Sequence, residues 1–266
     1  MGSPDGSCAA GERPVFRIAV LASGSGSNLQ AIIDELHQPR FQLMDTDEYE
    51  CAPGEVAADR AAESAGEDAG SESADGAAQA GEPAGGSPAP RIEVVLVISD
   101  MPGAQALERA ERAGIRTAAL PIGDFRDRDE HDLAMVSRLC EVEADLVVLA
   151  GYMRIVSPSL LKAFPHRVIN LHPALLPAFP GTHSISDAVR HGVKVTGVTV
   201  HYVDPGIDTG PVIAQEPVRV EEGDTAETLA ARIHEVEHRL LPATIRLIAA
   251  GRVKPPLPGS HVVQVD

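Results

Sequence analysis

Residues 170–181, NLHPALLPAFPG, open with an amide and an imidazole two positions apart. In an extended segment alternate side chains project to one face, so Asn170 and His172 point together. A second stretch, DPGIDTGP at 204–211, has the composition of a loop and carries the acid Asp208. An amide can hydrogen-bond a developing oxyanion, an imidazole can exchange a proton near neutral pH, and a carboxylate can orient the ring and favour its cationic form. That set suits acyl-type transfer without a protein nucleophile.

A third stretch, SGSGSNLQ at 23–30, follows an apolar run and opens a helical pattern. Glycines admit an anion close to the backbone, and the free amides of a helix start favour a phosphate there. The dinucleotide fingerprint is not met, because Leu29 stands at the third glycine. The Walker pattern is not met either, for want of its lysine. A lone phosphate monoester is the expected ligand. The sequence HEVEH at 234–238 matches H-E-x-x-H, but no third ligand follows and no metal is expected. His201 is open between supporting the site and plain packing.

The elements that must position these residues alternate. Strands are expected at 16–22, 92–99, 116–120, 145–150 and 167–171, with longer, more alternating ones at 193–203 and 211–220. Helices are expected at 27–37, 104–113, 129–142 and 225–250. Short buried strands alternating with helices imply an α/β fold: a doubly wound, mostly parallel open sheet with helices on both faces. The last two strands suggest a hairpin, hence an antiparallel strand near the C-terminal end. Ligands in such sheets sit beyond the carboxyl ends of the strands, where Asn170 and His172 fall.

Composition narrows the class. Hydrophobic residues make up 44% of the 266 positions but aromatics only 3%, so the core must be aliphatic. No apolar run reaches the length of a membrane span, and the start of the chain has no basic, apolar leader pattern. Three scattered cysteines do not make a disulfide scaffold. A cytoplasmic protein is expected. The net charge of −17 argues against nucleic-acid binding, yet residues 45–90 alone hold twelve acids against the single base Arg60. That Ala-, Gly- and Glu-rich segment has too little apolar surface to offset its ordering entropy, and is expected to be a disordered insertion. It interrupts a single domain at 15–250, flanked by a disordered segment at 1–14 and a Pro-rich tail at 251–266.

Taken together, SGSGSNLQ (23–30), LAGYMRIVSP (149–158), NLHPALLPAFPG (170–181) and VTVHYVDPGIDTGPVI (198–213) resemble the phosphoribosylglycinamide formyltransferase family, folate-dependent transferases of purine biosynthesis. The resemblance covers about residues 15–250 apart from the insertion, and it implies the formyltransferase fold. It assigns Asn170, His172 and Asp208 as the catalytic trio, with Asp208 tuning His172. It places Gly26, Ser27 and Asn28 on the phosphate of 5-phosphoribosylglycinamide and Glu237 near the ribose. Folate contacts fall to Arg128, Met153, Arg154, Ile155, Val156, Asn170, Asp204 and Ile207. The implied co-substrate is 10-formyltetrahydrofolate, and the implied partners are these two small molecules, with no metal, nucleic acid or membrane, in a monomer or homodimer. Two relatives of the same superfamily compete. A methionyl-tRNA formyltransferase would be expected to carry a basic domain after the last helix. A formyltetrahydrofolate hydrolase would be expected to carry a regulatory domain before the first strand and to lack the phosphate loop.

Overall fold

Every expected apolar run forms a strand. The computed structural model describes residues 15–37, 90–257 and 260–266. Its main sheet contains β1 (Val15–Leu21), β2 (Arg91–Ser99), β3 (Thr117–Ala119), β4 (Leu146–Leu149), β5 (Val168–His172), β6 (Val195–Tyr202) and β7 (Val212–Arg219). The expected insertion at 45–90 and the segment 1–14 lie outside the described residues, Pro90 excepted. The helices are α1 (Ser27–Leu36), α2 (Gln105–Arg112), α3 (Arg128–Glu141), α4 (Pro158–Ala163), α5 (Ser184–His191) and α6 (Ala226–Ala249). None is long and apolar enough to cross a membrane.

The strand order is β3-β2-β1-β4-β5-β6-β7. Strands β1 to β5 run parallel to one another, and β6 runs antiparallel to both β5 and β7. The chain winds outward from β1 to β3, then returns through α3 to β4 on the other side of β1. The strand order therefore reverses between β1 and β4, the topological switch point of the sheet. Pro217, which cannot donate to a ladder, lies in the edge strand β7.

Period-two alternation splits the core in two. Ile18, Val20, Ile169, Leu171, Val198 and Val200 face α1, α2 and α6, meeting Leu29, Ile32, Leu229, Ile233 and Ile245. Ala19, Leu21, Val147, Leu149 and Val168 face α3 and α4, meeting Met135, Leu139 and Leu160. Each such aliphatic side chain stabilises the fold by about 1.5–3 kcal/mol on burial. On β5 the parity that sends Ile169 and Leu171 to α6 sends Asn170 and His172 to the opposite face. Polar groups collect there instead of a third apolar layer.

Two helices were not expected. The six-residue α4 is too short to show a period, and it starts with Pro158 in its first turn, where the missing N–H is not needed. Helix α5 follows the Pro- and Gly-rich exit of β5 and buries only Ser184 and Ala188. A short antiparallel pair, β8 (Val253–Lys254) with β9 (Gln264–Val265), lies in the tail.

Candidate active site

The antiparallel register of β5 and β6 sets Asn170 opposite His201 and His172 opposite Thr199. Asn170 and His201 share a face, and their side chains meet. His201 Nδ1 lies 2.9 Å from the Tyr202 carbonyl, an acceptor, so Nδ1 carries the hydrogen. Nε2 then presents a lone pair, and Asn170 Nδ2 donates to it at 3.1 Å. The second Asn170 amide hydrogen meets Asp208 Oδ1 at 3.4 Å, a long contact. His201 thus fixes which way the amide of Asn170 points. The sequence left His201 open between this supporting role and plain packing, because a register cannot be counted without the turn that sets it.

Burial pushes the His201 imidazole down from its ordinary 6.5, outweighing a hydrogen bond to the Tyr202 carbonyl and the attraction of Asp208. Between that lowered value and 6.5 the unfolded chain binds the proton and the folded chain does not, so stability falls as pH drops through that window. Protonation would also remove the acceptor that holds Asn170. An NMR titration of the His201 ring is therefore expected to show a midpoint below 6.5; a midpoint above it would mean that burial does not dominate.

His172 is 4% exposed. Its Nε2 donates to the Phe179 carbonyl at 2.9 Å, and its Nδ1 faces Asp208 Oδ2 at 3.4 Å. Asp208 Oδ2 also accepts from the Gly181 amide at 2.8 Å. Phe179 and Gly181 reach these positions because the exit of β5 turns back on itself, with Phe179 at φ 52°, and in the β6–β7 loop Asp208 has φ 53°. Two non-glycine residues in the left-handed region thus meet beside one imidazole, and such strain persists only where the surroundings hold it. The loop that delivers Asp208 is closed by Asp204, whose Oδ1 accepts from the Gly206 amide at 3.0 Å and the Thr209 hydroxyl at 2.7 Å. Gly210 must be glycine, since a Cβ there would overlap the Tyr202 carbonyl oxygen.

These groups open into one cleft of about 200 Å³. Its floor is Asn170 and His172, one wall is the loop Gly151–Val156, and the other is Asp204, Gly206 and Ile207. Met153, Ile155 and Ile207 are exposed apolar side chains at its mouth. Tyr152, buried, has its phenol pushed far up by burial and by Asp100 and Asp132 nearby, so it stays neutral. The loop has no secondary structure and is tied by side chains. The Met153 amide donates to Ser23 Oγ at 3.1 Å, Arg154 Nε donates to Asp100 Oδ2 at 2.5 Å, and the Ser157 amide donates to the buried Asp132.

The glycine loop lies outside the cleft lining. Gly26 is the N-cap of α1 at φ 69°, and no side chain caps the helix. The first amides of α1 are left for a ligand or solvent, as an anion site requires. The structure gives Gly26 a packing reason the sequence did not show: a Cβ there would lie 2.8 Å from Ala106 Cα, on backbone. At Gly24 a Cβ would meet nothing within 4 Å. Gly26→Val is expected to lower the Tm by destabilising the fold by more than about 2 kcal/mol, through overpacking and a β-branched residue at positive φ, whereas Gly24→Ala is expected to leave the Tm within about 2 °C. Thermal unfolding of the two variants checks the pair.

Buried Glu237 joins this loop to α6. Its Oε2 accepts from Asn28 Nδ2 at 3.1 Å and pairs with His234 Nδ1 at 2.8 Å. The hydrogen bond to Glu237 raises the His234 imidazole above its ordinary value, against partial burial. The HEVEH stretch thus spends its first histidine on its own glutamate, and its two rings stack with centroids 6.4 Å apart. Among the described residues no group of three His, Cys, Asp or Glu is placed to hold a metal. Arg128 stands exposed in the first turn of α3 and does not line the cleft.

Asn170 and His172 at the end of β5 meet Asp208 from the β6–β7 loop on a doubly wound sheet, and comparison with known proteins gives the class. The formyl transferase family matches residues 79–245, and the chain belongs to that family. It is similar to the phosphoribosylglycinamide formyltransferase of Bacillus subtilis, 44% identical over 151 residues that span 57% of this chain and 77% of that one. The enzyme of the same name from Mycobacterium tuberculosis is 50% identical over 145 residues, 54% of this chain and 67% of the relative. Among solved structures, glycinamide ribonucleotide transformylase 1 from Symbiobacterium toebii superposes with a TM-score of 0.72 at 36% identity, covering 97% of this chain and 99% of that one.

Proposed function

We propose that this protein transfers the formyl group of 10-formyltetrahydrofolate to the amine of 5-phosphoribosylglycinamide in purine biosynthesis, acting in the cytoplasm. The observation that carries the reading is the convergence of Asn170, His172 and Asp208 on one cleft, in a chain of the formyl transferase family. The ribonucleotide phosphate takes the uncapped amides of Gly26, Ser27 and Asn28. Glu237, already oriented by Asn28 and His234, has Oε1 left to accept from a ribose hydroxyl. Folate enters past Met153 and Ile207 and lies along Arg154, Ile155, Val156 and Asp204. Arg128, exposed on α3 outside the lining, meets the anionic end of the folate rather than its ring.

The glycinamide amine attacks the formyl carbon, a C–N bond forms, and the carbonyl oxygen becomes an oxyanion. Asn170 supplies the loosely held hydrogen that contacts Asp208 at 3.4 Å, and His172 supplies the hydrogen on Nδ1. Both are already aimed by fixed partners, so little reorganisation accompanies reaction. Collapse of the intermediate breaks the bond to the folate nitrogen, and the proton lost by the amine passes to that nitrogen with Asp208 beside its path. The test is an assay of formyl transfer to the ribonucleotide with a parallel measurement of formate release. Formylated ribonucleotide without formate supports the reading, and formate alone overturns it in favour of a hydrolase.

A further inference from the structure

The loop Gly151–Val156 makes one wall of the cleft, yet nothing in its own backbone fixes its shape. Two side chains from outside it do so at adjacent residues. Ser23, two residues after the end of β1, receives the Met153 amide at 3.1 Å and donates its own amide to the Gly151 carbonyl at 3.2 Å. Asp100, which directly follows β2, receives Arg154 Nε at 2.5 Å. Asp100 is 6% exposed, while the Arg154 side chain is 39% exposed. The charge pair therefore has its anion anchored in the sheet and its cation at the cleft. Burial alone would raise the Asp100 carboxyl, but hydrogen bonds from Ser23 and Arg154 outweigh it and hold the group below its ordinary value, as a carboxylate. Facing this pair are Tyr152, kept neutral, and Asp132, occupied by His131 and the Ser157 amide. Among the described residues, Arg154 is the cation that meets Asp100.

A guanidinium held at Nε keeps both terminal nitrogens free in a fixed plane. Here neither has a protein partner among the described residues, and Arg154 lines the cleft. Because Asp100 does not line the cleft itself, its effect on a ligand must pass through Arg154 and the loop. We infer that Asp100 is a positioning residue for the one-carbon donor: by clamping Arg154 from the end of β2 it preforms the folate wall of the cleft, and it leaves the ribonucleotide side untouched. The inference rests on the function proposed above for its choice of substrate, though not for the clamp itself.

Asp100→Ala is expected to raise KM for 10-formyltetrahydrofolate roughly tenfold, the size of one hydrogen bond to a charged group. KM for the ribonucleotide stays within about twofold and turnover at saturation within about threefold. Asp100→Asn, which keeps an acceptor at the same distance, recovers most of the loss. In the substrate-free protein, amide exchange of Met153 to Val156 quickens about tenfold in Asp100→Ala, while the amides of β1 and β4 keep wild-type rates. The double variant with Arg154→Ala binds the donor no worse than Arg154→Ala alone, since the two residues act in series. Unchanged donor KM and unchanged loop exchange in both Asp100 variants would overturn the inference, as would additive losses in the double variant. If the wild-type protein transferred no formyl group, the function would fail, and the exchange experiment would still decide whether Asp100 holds the loop.

Discussion

Asn170→Ala is expected to lower turnover by about 10²–10³ while both Michaelis constants stay within a few-fold, the signature of a donor used mainly in the transition state. The magnitude follows from the geometry. One amide hydrogen is committed to His201 Nε2 at 3.1 Å, and this bond sets the plane of the amide. The other rests on Asp208 Oδ1 at 3.4 Å, far enough to be given up when a fuller negative charge appears. A neutral formyl oxygen gains little from that hydrogen, and an oxyanion gains much more. Truncation also leaves buried His201 without its donor, at a stability cost of about 1–3 kcal/mol. A Tm measured alongside the steady-state kinetics separates the two effects. Near-wild-type turnover in a folded variant would remove Asn170 from the chemistry.

The parts of this site that were legible in the sequence are those fixed by local periodicity. Asn170 and His172 share a face because β5 is extended, and the apolar parity of Ile169 and Leu171 shows which face the polar pair must take. The glycine loop was legible as a strand running through glycines into a helix. What could not be read belongs to register and to backbone. His201 meets Asn170 only because β6 pairs antiparallel with β5 at one register. The Phe179 carbonyl and the Gly181 amide have no side-chain signature at all, and they act only because the Pro-rich exit from β5 bends back. The glycine loop shows a related gap. Gly26 looked like an opening for an anion, yet its nearest steric neighbour is Ala106, so its identity is set at least as much by the contact between α1 and α2.

The same division separates Asp100 from the residues expected at the site. Nothing in the pattern SDMPG at 99–103 marks a functional acid. Its partner Arg154 lies 54 positions away, and they meet because the β1–β2 pairing and the β1–β4 pairing bring both carboxyl ends to one side of the sheet. Sequence separation hides such pairs, and topology exposes them.

Asp208→Asn is expected to cost about 10²–10³ in turnover, comparable to or larger than the Asn170 loss, with the cleft intact. The reason lies in the two nitrogens of His172. The Phe179 carbonyl can only accept, so Nε2 must carry a hydrogen whatever happens at Nδ1. Any hydrogen on Nδ1 is therefore the second one on the ring, and a carboxylate facing Nδ1 at 3.4 Å is the acceptor that such a hydrogen calls for. A carboxamide in place of this carboxylate brings no negative charge to favour a second ring hydrogen, which leaves a neutral ring with nothing to donate to the oxyanion. Asparagine also tolerates the left-handed φ of 53° at this position, so the backbone need not move. The Gly181 amide and His172 Nδ1 face the same oxygen, Oδ2, so a carbonyl that keeps the Gly181 hydrogen bond turns the NH₂ to the Oδ1 side, toward Asn170 and His201. Steady-state turnover with an ¹⁵N spectrum of the His172 ring tests this. The variant should show a single ring hydrogen, on Nε2, together with the slow rate. Wild-type turnover with Nδ1 bare would mean that His172 does not donate to the intermediate.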